Sequence, residues 1–288
     1  MNRILLRNAS ILTMTSEIME ERKDIIIENS MIFNIVPSNS SNDTYDQIID
    51  CTNKYVIPGL IDAHMHILED DGQELKLYVA NGVTSIRNMW GNMTLFDSNP
   101  KFDVLSLTNK VHSGELLGPT IVNTSRLIND EPVLQKGSFI VSNTSEVMPL
   151  IETIKSDGYD QVKIYDNLKE EVFDEILKVS KALNIKVVGH KPISVSHKKI
   201  VNSSVFSVEH TLHIEKNTLA DLIRNDIHVV PTLIAIKNYT ELIEGNSAQF
   251  LQDENYKYAN ITANEGMWKP FAQMLPEMKS DKTSMFYK

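Results

Sequence analysis

The first 55 residues carry apolar, β-branched bursts separated by polar turns. Ile4–Leu6, Ile11–Thr13, Asp24–Ile27 and Met31–Val36 predict strands, Pro37–Asp43 a loop, and Ile48–Cys51 one more strand. A β-meander of that size makes a thin half-sandwich, which needs further surface to complete a core. From Tyr55 the texture changes. Apolar strand-like runs at Val56–Ala63, Val83–Arg87, Pro119–Thr124, Gln161–Tyr165, Lys186–His190, Phe206–His210 and His228–Leu233 alternate with helical patterns. Asn167-Leu-Lys-Glu170 reads as a capping box opening a helix, with Leu168, Phe173, Ile176, Leu177 and Val179 at helical spacing and Asn184 as its stop. A second helix is expected over Thr218–Arg224, with Asn217 as its N-cap.

Strand and helix repeated in this order predict parallel βαβ units. The spacing suits either a (β/α)₈ barrel or a doubly wound sheet, and periodicity alone leaves both open. Neither GxGxxG nor a Walker A sequence follows any of the strands, so a dinucleotide or P-loop site has no support. The division expected is an N-terminal β-strand domain over 1–55 and an α/β domain over 56–288.

Composition narrows the class further. The chain has 28 Lys and Arg against 38 Asp and Glu, a formal charge of −10, so no basic footprint is available for phosphates; neither a nucleic acid nor a membrane is expected as a partner. Cys51 is the one cysteine, which excludes an intrachain disulfide and a cysteine zinc cluster. No signal-peptide pattern opens the chain, and a cytoplasmic protein is expected. The 12 methionines read as core filler.

The strongest chemical signal is His64-Met65-His66 directly after a predicted strand. Residues two apart on a strand share a face, so both imidazoles point the same way, an arrangement suited to a divalent metal such as zinc. His190 and His210 each close a later strand, and Lys163 sits mid-strand between Val162 and Ile164. Any one of these alone reads as an ordinary polar residue; their common placement at strand ends points to a site. Lysine is almost never fully buried without a partner, so Lys163 has a functional reason or faces outward. Tyr165 shares the face of Lys163 and either reaches a substrate oxygen or fills the barrel. Arg87 either binds an anionic group or pairs with a nearby acid. His213 either lines the loop after His210 or lies on the surface. Glu209 alternates with His210 and is expected to point away from the site, towards the helices.

Together Pro58-Gly-Leu-Ile-Asp-Ala-His-Met-His66, Gly82-Val-Thr-Ser-Ile-Arg87, Gly118-Pro-Thr, Gln161-Val-Lys-Ile-Tyr165, Gly189-His190 and Ser207-Val-Glu-His210 resemble the metal-dependent amidohydrolase superfamily. The VKIY and SVEH pieces resemble its imidazolonepropionase-like branch, which includes Xaa-Pro dipeptidases. The resemblance implies a TIM-type (β/α)₈ barrel with an N-terminal β-sandwich portion. It implies two divalent metal ions: His64 and His66 on the first, carboxylated Lys163 as a bridge, and His190 and His210 on the second. The implied reaction is hydrolysis of an amide or cyclic amide, such as a dipeptide, by metal-activated hydroxide, with Tyr165 and Arg87 as candidate substrate-binding residues.

The family's eighth strand ends in a proton-transferring Asp, and no apolar strand ending in Asp follows Leu233; Asp253 and Asp281 lie in polar runs. The expectation is a chain truncated relative to its family, the alternative being an intact shorter homologue that completes its sheet with another chain; either has seven recognisable strands and open edges that favour a homo-oligomer. A metal-binding relative without turnover is the alternative to an active enzyme on a small-molecule substrate.

Overall fold

The computed structural model describes residues 2–41, 43–67, 72–92, 103–133, 137–211 and 214–244. The chain divides into two compact units, Met1–Leu60 and Ile61–Lys288.

The first unit is a five-stranded sheet: β1 (Arg3–Ile11), β2 (Glu20–Glu28), β3 (Met31–Pro37), β4 (Gln47–Asp50) and β5 (Tyr55–Val56). The order is β3-β2-β1-β4, with β5 on the far part of β1. β1–β2 and β2–β3 are antiparallel, whereas β4 and β5 both run parallel to β1. Tyr55 and Val56 therefore belong to this sheet through Ser10 and Ile11, not to the strand expected over Val56–Ala63. Ala9, Ile11, Ile25 and Cys51 form its small core. Ile32, Phe33, Ile48 and Ile49 stay exposed, as a half-sandwich requires.

Asp24 holds the turns of this sheet. Its buried carboxylate accepts from Asn8 N–H (2.8 Å), Ser38 Oγ–H (2.8 Å) and Asn39 N–H (3.0 Å). Asn8 and Asn39 both have positive φ, so the carboxylate pins two left-handed positions where the strands bend. Asp24→Ala leaves three donors without their acceptor, and we expect a loss of about 2 kcal/mol, read by denaturant unfolding.

The second unit carries the parallel strands β6 (Leu60–Met65), β7 (Val83–Asn88), β8 (Thr120–Asn129), β10 (Gln161–Ile164), β11 (Lys186–Gly189), β12 (Ser207–Glu209) and β13 (His228–Val230), with short β9 (Phe139–Ile140) beside β8. Strand order follows chain order from β6 to β13, giving a nearly closed seven-strand barrel of TIM type. Among the described residues there is no eighth barrel strand. Asp253 and Asp281 lie outside them. The strand expected over His228–Leu233 stops at Val230, because Thr232 turns the chain with φ 46° and Leu233 opens a helix.

Helices α1 (Gln73–Ala80), α2 (Val104–His112), α3 (Val147–Asp157), α4 (Glu170–Ala182), α5 (His197–Val201), α6 (Lys216–Arg224) and α7 (Leu233–Glu244) complete the described elements. Helix-facing positions of the strands, among them Val162, Ile164, Val187 and Val208, join Phe173, Ile176 and Val179 of α4 in one core. Asn184 ends α4 as expected, in the left-handed conformation at φ 52°. The helix starts differ from expectation. α4 begins at Glu170 without a side-chain cap, because Asn167 donates instead to Pro132 O; the capping box belongs to Asn143 and Glu146 ahead of α3. α6 begins after Glu215 rather than Asn217. Among the described residues no helix is long and apolar enough to cross a membrane.

Candidate active site at the strand ends

His64 is the penultimate residue of β6, His66 directly follows that strand, and Lys163, His190 and His210 come from β10 and from directly after β11 and β12. Alternation explains the convergence. Val162 and Ile164 face the helices, so Lys163 faces the barrel interior. Gly189 lets β11 approach β10 closely: a Cβ there would lie 2.2 Å from Ile164 O. That close approach sets His190 beside its neighbours.

The histidines pack ring to ring. Centroids of His64 and His66 are 5.3 Å apart, of His64 and His210 4.3 Å, and of His190 and His210 4.9 Å. Tyr165 stacks on His190 at 4.0 Å, and Trp90 lies over His66 at 3.7 Å. Lys163 is 1% exposed, and among the described residues its Nζ has no hydrogen bond or ion pair. The sequence reading and the structure thus bring His64, His66, Lys163, His190, His210 and Tyr165 to one place. His213 lies outside the described residues.

Electrostatics keep the four rings neutral. Burial pushes His64, His66, His190 and His210 below the ordinary imidazole range, and the charge of Lys163 adds to the push on each. Burial likewise lowers Lys163 to about 8, with Glu209 opposing. Neutral imidazoles offer lone pairs for a cation.

Each of three rings is held at Nδ1. His64 Nδ1–H donates to Glu209 Oε2 (2.8 Å), His190 Nδ1–H donates to Asp166 Oδ1 (2.8 Å), and His210 Nδ1 shares a hydrogen bond with Thr232 Oγ1 (2.6 Å). His64 Nε2 and His66 Nδ1 are buried with no partner.

One expectation needs correction. Glu209 does not face the helices: it is 1% exposed and lies inside the barrel against His64 and Arg87. Ser207 and Glu209 share the inner face of β12, while His210, with φ 67°, has left the strand and turns back towards the mouth. Strict alternation fails at that residue. Arg87 spends three of its five N–H donors on the protein's own groups. Its Nε donates to Ala63 O (2.7 Å), Nη1 to Ser207 Oγ (3.0 Å) and Nη2 to Glu209 Oε1 (2.7 Å). The acid pairing weighed for it is the one found. Asp166, Thr232 and Trp90 are site residues the sequence reading missed; a place two positions past a strand end was their available signal.

No protein-family model matches the sequence. Solved structures do. A Xaa-Pro dipeptidase with bound methionine in its active site superposes with TM-score 0.69 at 20% identity, covering 99% of this chain and 77% of that one. The chain shares that protein's fold. A prolidase complexed with N-methylphosphonate-L-proline gives 0.67 at 18% identity, over 83% of this chain and 68% of that one. Among curated proteins, a dihydroorotase of Listeria welshimeri serovar 6b is 24% identical over 216 residues, 70% of this chain and 45% of that protein. A dihydroorotase of Pediococcus pentosaceus is 26% identical over 202 residues, 66% of this chain and 46% of that protein. The chain spans about half the length of these curated relatives.

Proposed function

We propose that the protein is a metal-dependent hydrolase of C–N bonds in small amides or cyclic amides. One observation carries the reading: four neutral histidines and a fully buried lysine meet at the C-terminal mouth of a parallel barrel, where catalytic groups collect in this architecture. The names of similar proteins supply the substrate classes, a Xaa-Pro dipeptide on one side and dihydroorotate on the other. Two divalent ions, zinc first, are the cofactors we infer, and a cytoplasmic location goes with the single buried thiol of Cys51.

The fit to metal rests on the donor set. His64 Nε2 and His66 Nδ1 are buried ring nitrogens without a partner, and the carboxylate partners of His64 and His190 are those that orient ligating imidazoles. As placed, no three His, Cys, Asp or Glu side chains among the described residues form a preformed cage. His64 and His66 would hold one ion, His190 and His210 the other, and Lys163 as a carbamate would bridge. Bound there, such ions lower the pKa of water and polarise a scissile carbonyl. The chain's own contribution is orientation and dryness. Glu209, Asp166 and Thr232 fix three rings, Trp90 and Tyr165 wall two of them, and burial holds Lys163 near the pH where its amine is neutral and nucleophilic towards CO₂. Because β6 and β13 end the strand order among the described residues, a second copy of this chain is the partner we infer.

The test is metal content and turnover of the full chain. Purified under zinc-replete conditions it should carry near-stoichiometric metal and cleave a Xaa-Pro dipeptide or dihydroorotate, with activity abolished by a chelator and restored by zinc. Metal without turnover on either substrate class selects the non-hydrolytic relative. Metal below about a tenth per chain overturns the site.

A further inference from the structure

A hydrogen-bonded chain crosses the barrel interior and ends on His64. Arg87 on β7 reaches β12, which is not its neighbour in the sheet, and donates Nη2 to Glu209 Oε1 (2.7 Å) and Nη1 to Ser207 Oγ (3.0 Å). Ser207 Oγ–H donates in turn to the same Oε1 (2.6 Å). Glu209 thus has one oxygen occupied by two donors and turns the other, Oε2, to His64 Nδ1 (2.8 Å). Arg87 Nε is tied to Ala63 O (2.7 Å), the backbone next to His64 itself. Every member is nearly sealed: side-chain exposure is 10% for Arg87, 0% for Glu209 and 5% for His64.

We propose that Arg87 is a positioning residue that sets the tautomer of His64 through Glu209. A carboxylate only accepts hydrogen bonds, so Glu209 Oε2 demands a proton on His64 Nδ1 and leaves the lone pair on Nε2. That Nε2 is the buried atom without a partner. Arg87 makes the demand rigid. With Oε1 held by the guanidinium and Ser207, the carboxylate cannot rotate away, and its buried charge has a counter-charge in place. Arg87 touches no substrate position in this scheme and acts on the site from across the barrel. The proposal uses the metal reading only for its second consequence, ion affinity.

The experiment uses the metal-free full chain, its histidines labelled with ¹⁵N, and zinc affinity by competition with a chromophoric chelator. Long-range ¹H–¹⁵N correlation should show His64 as the Nδ1–H form. Glu209→Gln and Arg87→Met should shift or broaden that signal while leaving His190 as it is, and should weaken zinc binding by about 10- to 100-fold, the usual effect of losing a ligand's outer partner. Arg87→Lys should restore part of both. Because Arg87→Met removes a buried charge and can fail to fold, Ser207→Ala, which deletes one hydrogen bond to Oε1, supplies a milder arm with a smaller shift in the same direction. An Nε2–H form of His64 in the unmutated protein overturns the proposal. So does an unchanged His64 signal in folded Arg87→Met or Ser207→Ala. If the unmutated protein holds no zinc yet His64 is Nδ1–H and answers to Arg87, the hydrolase reading fails and this one stands.

Discussion

Gly189→Ala is expected to destabilise the barrel by about 4 kcal/mol, the sum of backbone strain and overpacking with nowhere to relax. Two independent features make the position intolerant. Its φ of 137° lies where an L side chain is strained, and the added Cβ would sit 2.2 Å from Ile164 O and 2.9 Å from Ile164 N. Neither contact is the flexible end of a side chain; both are backbone of β10, paired in register with Gly189 itself. Relief requires β10 and β11 to separate, which moves Lys163 and His190 together. Equilibrium denaturation should show the lost stability, and near-ultraviolet circular dichroism the loosened Tyr165–His190 packing. A folded variant within 1 kcal/mol of the parent would show that the strands can part without cost.

Much of this site was legible because strand periodicity and strand ends translate directly into direction. His64 and His66 two apart, Lys163 between two core residues, and histidines closing successive strands all follow from a period of two and a parallel sheet. What could not be read required a departure from that period or a partner distant in sequence. The left-handed turn at His210 returns it to the face of Glu209, and no side-chain pattern announces a positive φ at a histidine. The acid that pairs with Arg87 is 122 residues away, so its identity is a property of barrel closure and not of local sequence. The misplaced capping box has the same origin: Asn167 is diverted by Pro132 and Asn129, which only the fold brings near. The N-terminal residues do form strands, but Ile4–Leu6 and Ile11 share one strand, and β4, Tyr55 and Val56 run parallel to it, so the sheet is not the meander expected; apolar content does not encode parallel pairing.

Lys163→Met is expected to stabilise the protein while removing its proposed activity, and the opposite signs make it the sharpest test of why a lysine is there. The side chain is 1% exposed between Val162 and Ile164, without an ion pair among the described residues. Burying an ammonium without a partner is costly, which is the reason the amine is pushed down to about 8. Methionine has similar length, no charge to desolvate and the flexibility to fill the same space. Replacing a costly buried charge by an apolar group of like shape commonly gains stability, here by about 1–2 kcal/mol. If Lys163 bridges two ions as a carbamate, the same change deletes an anionic ligand. Zinc stoichiometry should fall, and hydrolysis should drop by about 10²–10³-fold, the size associated with losing one preorganised electrostatic group. Bicarbonate should raise the activity of the parent and leave the variant unmoved, and intact-mass measurement of the parent should show the added CO₂ only when zinc is present. A variant that loses stability, or keeps full zinc content and rate, would assign Lys163 to the architecture of the barrel interior instead of to its chemistry.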